Sequence, residues 1–235
     1  MKLTETQIDE LYKFTRKHYV YHYDIQSELV DHLANDIEEI WVSQPHLSFQ
    51  DACDKSFKKF GIFGFMDVIE AKQKQMNKRY RNIMWRFLKE WFTLPKVTTT
   101  IVLFFSIFFV LKIQFSEYLL LGTLFVFVVF NFINQFRNRN TQKQKKEKRK
   151  KIFLLEAMIG HTKGGFTGIT IINLFNFVNL SRVNFSSLEI HWSIIVSLTA
   201  TLLCILFYVI NYIIPQKAEE LLEETYPEYK LAKSL

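Results

Sequence analysis

Proline and glycine are scarce, four and seven residues in a chain of 235. So few breakers exclude a strand-rich sandwich or barrel, whose many turns need them, and leave a helix-rich chain. Cysteine is scarcer still. Cys53 lies in a polar half and Cys204 inside an apolar segment, so neither a disulfide framework nor a thiolate metal site is expected. No membrane-length apolar segment begins before Val97, so no secretory signal is expected. A zinc-protease H-E-x-x-H, a nucleophile elbow and a phosphate-binding glycine loop are all missing, which removes the commonest routes to a named catalytic class.

What is abundant is phenylalanine, with 24 residues, and positive charge concentrated in one place. Residues 137–151 read RNRNTQKQKKEKRKK, a formal charge of +8 in a chain whose total is +7. The rest of the chain is therefore close to neutral. A basic total would ordinarily raise nucleic acid as a partner, but this run has no interleaved aromatics to stack bases, and none is expected to bind. It sits instead between apolar stretches, as a cytoplasmic loop between membrane spans does.

A hydrocarbon core of ~30 Å takes about 20 apolar residues as helix. Four stretches qualify, residues 97–113, 118–136, 164–180 and 190–214, the third interrupted by Asn173, Asn176 and Asn179. Eight Lys or Arg lie in 72–96 and nine in 137–151, whereas the two opposite loops contribute only Lys112 and Arg182. This asymmetry predicts four spans with both termini in the cytoplasm. Trp85, Trp91, Tyr118, Trp192, Tyr208 and Tyr212 are the expected interface anchors.

The first 71 residues are acidic, 13 Asp or Glu against seven Lys or Arg, and read as a small helical head. Thr4-x-x-Gln7 forms a capping box for a first helix reaching about Tyr19. Asp24 is placed to cap a second, with Leu29, Leu33, Ile37, Ile40 and Trp41 at helical spacing. Ser48-x-x-Asp51 opens a third, stopped by Gly61. A fourth starts near Gly64, turns basic and aromatic from Lys72, and suits an anionic membrane surface; residues 71–96 form this connector.

The run Tyr23-Asp24-Ile25-Gln26-x-Glu28-Leu29-Val30-Asp31-His32-Leu33-x-x-Asp36-Ile37-Glu38-Glu39, then Ser48-Phe49-Gln50-Asp51-Ala52 and Phe57-x-x-Phe60-Gly61, resembles the HAAS-type helical module over residues 5–70. Such modules are small cytoplasmic three-helix units on bacterial multi-span membrane proteins. The resemblance implies a signalling or scaffolding role, and it does not extend into the membrane part.

Several groups compete for function. Glu28, Asp31, Asp36, Glu38 and Glu39 give the second helix an acidic face, which docks a basic protein partner, docks the chain's own 137–151 run, or is simply solvated. Lys143, Lys145, Lys146, Lys148, Arg149, Lys150 and Lys151 are set to contact anionic lipid of the cytoplasmic leaflet. Gly160, Gly164 and Gly168 recur every four residues and fit close helix packing. Glu156, His161 and Lys163 beside them offer a lesser possibility of chemistry on a lipid head group. Asn131, Asn134, Asn173 and Asn176 fit interhelical hydrogen bonds, or a polar path. His18 and His22 are four apart, but the break near Asp24 separates them, so no metal and no cofactor is expected.

The sequence thus predicts an all-α integral protein of a bacterial inner membrane. A cytoplasmic three-helix domain occupies 1–70, a four-helix transmembrane bundle 97–214 and a cytoplasmic tail 215–235. The expected role is non-enzymatic regulation or scaffolding through a protein partner or self-association. A small channel or transporter and a lipid-acting enzyme are the alternatives.

Overall fold

The computed structural model describes residues 2–93, 96–147, 151–160 and 184–230, and all regular structure among them is helical. The chain divides into two compact units, Met1–Tyr80 with Lys150–Ala157, and Arg81–Arg149 with Met158–Leu235.

The first unit is built on α1 (Glu5–Lys17), α2 (Tyr23–Ser43) and α3 (Phe49–Lys58). The capping box at α1 is complete: Thr4 Oγ1 accepts from the Gln7 N–H at 3.3 Å, and Gln7 Oε1 accepts from the Thr4 N–H at 2.9 Å. Two otherwise orphaned donors are thereby satisfied. Ser48 Oγ accepts from the Asp51 N–H at 3.2 Å and starts α3 in the expected place. Ile25, Leu29, Val30, Leu33, Ile37, Ile40 and Trp41 of α2 are buried, and α2 packs on both α1 and α3. Full burial of one such side chain is worth ~1.5–3 kcal/mol, so α2 is the spine of this unit. The Trp41 indole N–H donates to the Leu47 carbonyl at 3.0 Å and ties the α2–α3 connection to the helix it leaves.

Phe14, His18, Phe57, Phe60 and Phe65 form one aromatic cluster, with His18 4.3 Å and Phe65 4.9 Å from Phe57 between ring centroids. Between Phe60 and Phe65 the chain reverses through Gly61 (φ +77°) and Gly64 (φ +54°), both left-handed. Buried Phe65 anchors the turn from below while Ile62 and Phe63 are exposed at its tip.

α4 (Met66–Trp91) starts two residues past Gly64 and continues unbroken for 26 residues. The second unit adds α5 (Lys96–Leu111), α6 (Ser116–Glu147), a short 3-10 turn (Phe185–Ser187), a long helix α7 (Ile190–Gln216) and a terminal helix α8 (Ala218–Thr225). α7 has 27 residues, ~40 Å of helix, and among the described residues it is the one helix that by itself is long and apolar enough to cross a membrane. α4 and α5 meet the same test only as a pair, bent by 87°.

α5 packs along α7. The buried stripe of α7 is Ser193, Ser197, Thr201 and Ile205, four residues apart and at most 1 % exposed. Each hydroxyl donates to a backbone carbonyl four residues earlier, at 3.2, 2.7 and 2.7 Å, so none requires a partner on α5. Small, self-satisfied side chains let two helices approach closely. The Lys112 ammonium donates to the Leu188 carbonyl at 2.7 Å, tying the end of α5 to the start of α7.

Two elements overrun their expected ends. α6 continues through Glu147, so most of the run read as a loop is helix; no Gly or Pro interrupts it, and Lys, Arg, Gln and Glu all favour helix. α7 continues past Pro215 to Gln216. A wide π turn at Val209–Ile213 precedes that proline, which has no N–H to give the carbonyl four residues back. The third predicted span, 164–180, lies outside the described residues.

Candidate functional site

The most developed site in the first unit is where the head holds residues 151–157. Ile152, Phe153, Leu154, Leu155 and Ala157 are buried there. Residues 151–153 carry no regular structure and 154–160 are helical. His22 stands at the N-cap of α2 but makes no side-chain capping bond. Instead the Tyr23 N–H donates to the Ile152 carbonyl at 2.9 Å. In return, Asp24 Oδ1 accepts from the Leu154 N–H at 2.9 Å. Each helix start is thus capped by the other segment, and the Asp24 carboxylate lies at the positive end of the helix that begins at Leu154.

Tyr23 lines the same cradle. Its ring meets Phe153 edge-on at 5.4 Å, stacks on Tyr12 at 6.2 Å, and receives the Lys151 ammonium at 4.8 Å from its centroid. The Tyr12 hydroxyl donates to Ser27 Oγ at 3.3 Å; its pKa is raised, by burial first, with nearby Tyr23 and Asp31 adding to the rise. What is held, then, is an apolar segment led by a lysine, gripped through backbone, aromatic and carboxylate contacts. The expectation that Asp24 caps α2 is corrected: its carboxylate serves a chain segment 130 positions away.

The predicted acidic face is largely engaged within the head. Lys72 pairs with Glu28 at 2.6 Å, Lys59 pairs with Asp36, and Glu38 accepts from the Leu3 N–H at 3.0 Å. Burial alone would push the Asp36 carboxyl upward, but the bond from Lys59 and its charge hold it below its ordinary value. Asp31 and Glu39 remain exposed. His18 belongs to the aromatic cluster, where burial lowers its pKa, helped by nearby Lys17. Cys53 is buried and its thiol is pushed up to about 11 by burial, so it is a core residue.

Of the predicted lipid contacts, Lys151 is the one in the cradle. Lys143, Lys145 and Lys146 fall on α6, while Lys148, Arg149 and Lys150 lie outside the described residues. Asn131 and Asn134 also fall on α6, and Gly160 ends the described part of the helix that starts at 154. Gly164, Gly168, Asn173 and Asn176 lie outside the described residues, as do His161 and Lys163.

The C-terminal segment is not merely a solvated tail. Leu221, Leu222 and Tyr226 are buried, and Arg86 of α4 holds the Glu224 carboxylate through two bonds of 3.1 Å. Lys217 lies 5.4 Å from the centre of the Phe87 ring. Trp91, expected as an interface anchor, is occupied within its unit: it meets Tyr208 edge-on at 5.4 Å and its N–H donates to Thr100 Oγ1 at 3.1 Å.

The fold defines an all-helical protein with a membrane-length helix and a small helical head. Comparisons with models of protein families, with curated proteins and with solved structures find no match for the chain.

Proposed function

We propose that this chain is a four-span protein of a bacterial inner membrane, with both termini in the cytoplasm, acting without catalysis as a regulatory or scaffolding subunit. In this reading α5, α6, the segment 164–180 and α7 are the spans, and the HAAS-like head recruits a protein partner. The membrane part is supported by the length of α7 and by apolar side chains left exposed on three helices, among them Phe105, Phe109, Phe125, Phe130, Leu198 and Leu202. A water-facing surface rarely carries so much contiguous apolar area.

One observation carries the partner reading: the head holds residues 151–157. A three-helix unit that grips a lysine-led apolar segment by backbone bonds and apolar contacts has the working parts of a peptide-binding module. Its exposed tip, Ile62 and Phe63, adds an apolar surface on a rigid turn. Because the predicted acidic face is mostly engaged internally, the expected partner contact shifts toward the tip and the cradle.

The test is in-cell crosslinking followed by purification in mild detergent and mass spectrometry. A stoichiometric protein lost on deleting residues 1–70, with membrane insertion intact, is the expected result. Recovery of the same protein with the deleted chain removes the adaptor role. Recovery of the chain alone as a defined oligomer favours the channel or transporter instead.

A further inference from the structure

Along α4, Lys74, Lys78, Arg81, Trp85 and Lys89 follow one another at steps of four, three, four and four residues. At 3.6 residues per turn these positions share one face of the helix. All five are exposed, Trp85 at 56 %. The other side of the helix is the packed one, with Tyr80, Ile83 and Phe87 buried and Arg86 bound to Glu224. On the same face Asp67 and Glu70 precede the stripe in the first turns, and Glu90 lies off it. From Lys74 onward the exposed face therefore carries four cations, no carboxylate and one large amphipathic ring.

At a membrane surface a tryptophan ring favours the headgroup level and cations favour an anionic leaflet. Trp91, by contrast, is turned inward onto Tyr208 and supplies no such contact.

We propose that the stripe Lys74–Lys78–Arg81–Trp85–Lys89 is a binding surface for anionic phospholipid of the cytoplasmic leaflet, with Trp85 at headgroup depth. It is separate from the basic run at 137–151. Each cation within a Debye length of an anionic surface strengthens attachment by roughly fivefold, and the effect is screened by salt.

This inference rests on the membrane reading above, and the experiment separates the two. The full chain is reconstituted in nanodiscs of phosphatidylcholine alone or with phosphatidylglycerol, and the emission of Trp85 is taken as the difference between the parent and Trp85→Phe. Blue-shifted Trp85 emission, quenched by shallowly brominated lipid and several-fold more so with phosphatidylglycerol, is expected. That dependence should vanish in the variant K74Q/K78Q/R81Q/K89Q and fade with salt. All five positions are exposed, so unchanged far-ultraviolet dichroism should accompany each variant. Water-like Trp85 emission quenched by iodide, as a surface kept for a protein partner would give, overturns the proposal. So does bromine quenching that is equal in both lipids. A chain that does not enter discs at all defeats the membrane reading itself.

Discussion

At the scale of single residues, the cradle turns on one carboxylate. Asp24 gives its Oδ1 to the Leu154 N–H, so Asp24→Ala leaves that donor and its helix end uncapped. The expected cost is ~1 kcal/mol, as for other caps, with Asp24→Asn losing less. Faster hydrogen exchange at the Leu154 amide, with α3 amides unchanged, is the confirming pattern. A second residue sets a pH response. The folded head holds the His18 pKa below the ordinary 6.5 because burial disfavours the imidazolium. The unfolded chain then binds the proton more readily, so His18 costs nothing above 6.5 and lowers stability as pH falls through and below it. His18→Phe keeps a ring against Phe57 and Phe65 and should flatten the loss of melting temperature between pH 7 and 5. An unchanged slope would place the acid sensitivity elsewhere. Neither role was legible in the sequence: Asp24 has the look of a local cap, and nothing local points to a partner 130 residues on.

Elements were far more readable. Thr4 and Gln7, and Ser48 and Asp51, are local signals, and α1 and α3 begin where they indicate, whereas α2 begins at Tyr23, ahead of the cap expected at Asp24. The breakdowns came where local signals are silent: no breaker marks an end between Arg137 and Glu147, and α6 simply continues. Pro215 is a loud signal, but a π turn absorbs it, a cooperative adjustment that composition does not reveal. The turn between α3 and α4 offers a sharper test, because its two glycines are constrained differently. A Cβ at Gly61 meets nothing within 4 Å, so Gly61→Ala bears only the left-handed backbone cost of ~1–2 kcal/mol. A Cβ at Gly64 comes within 2.9 Å of the Phe57 ring, which Phe14, His18 and Phe65 already hold in place. Gly64→Ala should therefore cost a further ~1–3 kcal/mol of overpacking. Thermal melts of the two variants should rank them clearly, and equal losses would mean that the aromatic cluster yields without strain.

For the whole molecule, the charge asymmetry between loops makes a claim about every crossing at once. The parity of the crossings is read from residues on either side of each. Single cysteines at Thr93, Phe115, Gln144, Glu189 and Glu228 fall at exposed positions before, between and after the proposed crossings. Of the native thiols Cys53 is buried with a pKa of about 11 and Cys204 is exposed, and replacing both by alanine removes them. A membrane-impermeant maleimide added to intact spheroplasts should then label Phe115→Cys and Glu189→Cys. The other three should react only after permeabilisation, because the cationic flanks at 72–96 and 137–151 stay inside. Opposite sides for Gln144 and Glu189 require an odd number of crossings between them, which tests the third span without reference to its asparagines. If Gln144 and Glu189 react together, that segment does not cross and the bundle has an odd number of spans; Glu228 would then have to lie opposite Thr93. If Phe115 reacts with Thr93, α5 does not cross as one span. The head, the tail and the basic run share a compartment only in the first outcome, and only there can a cytoplasmic partner reach all three.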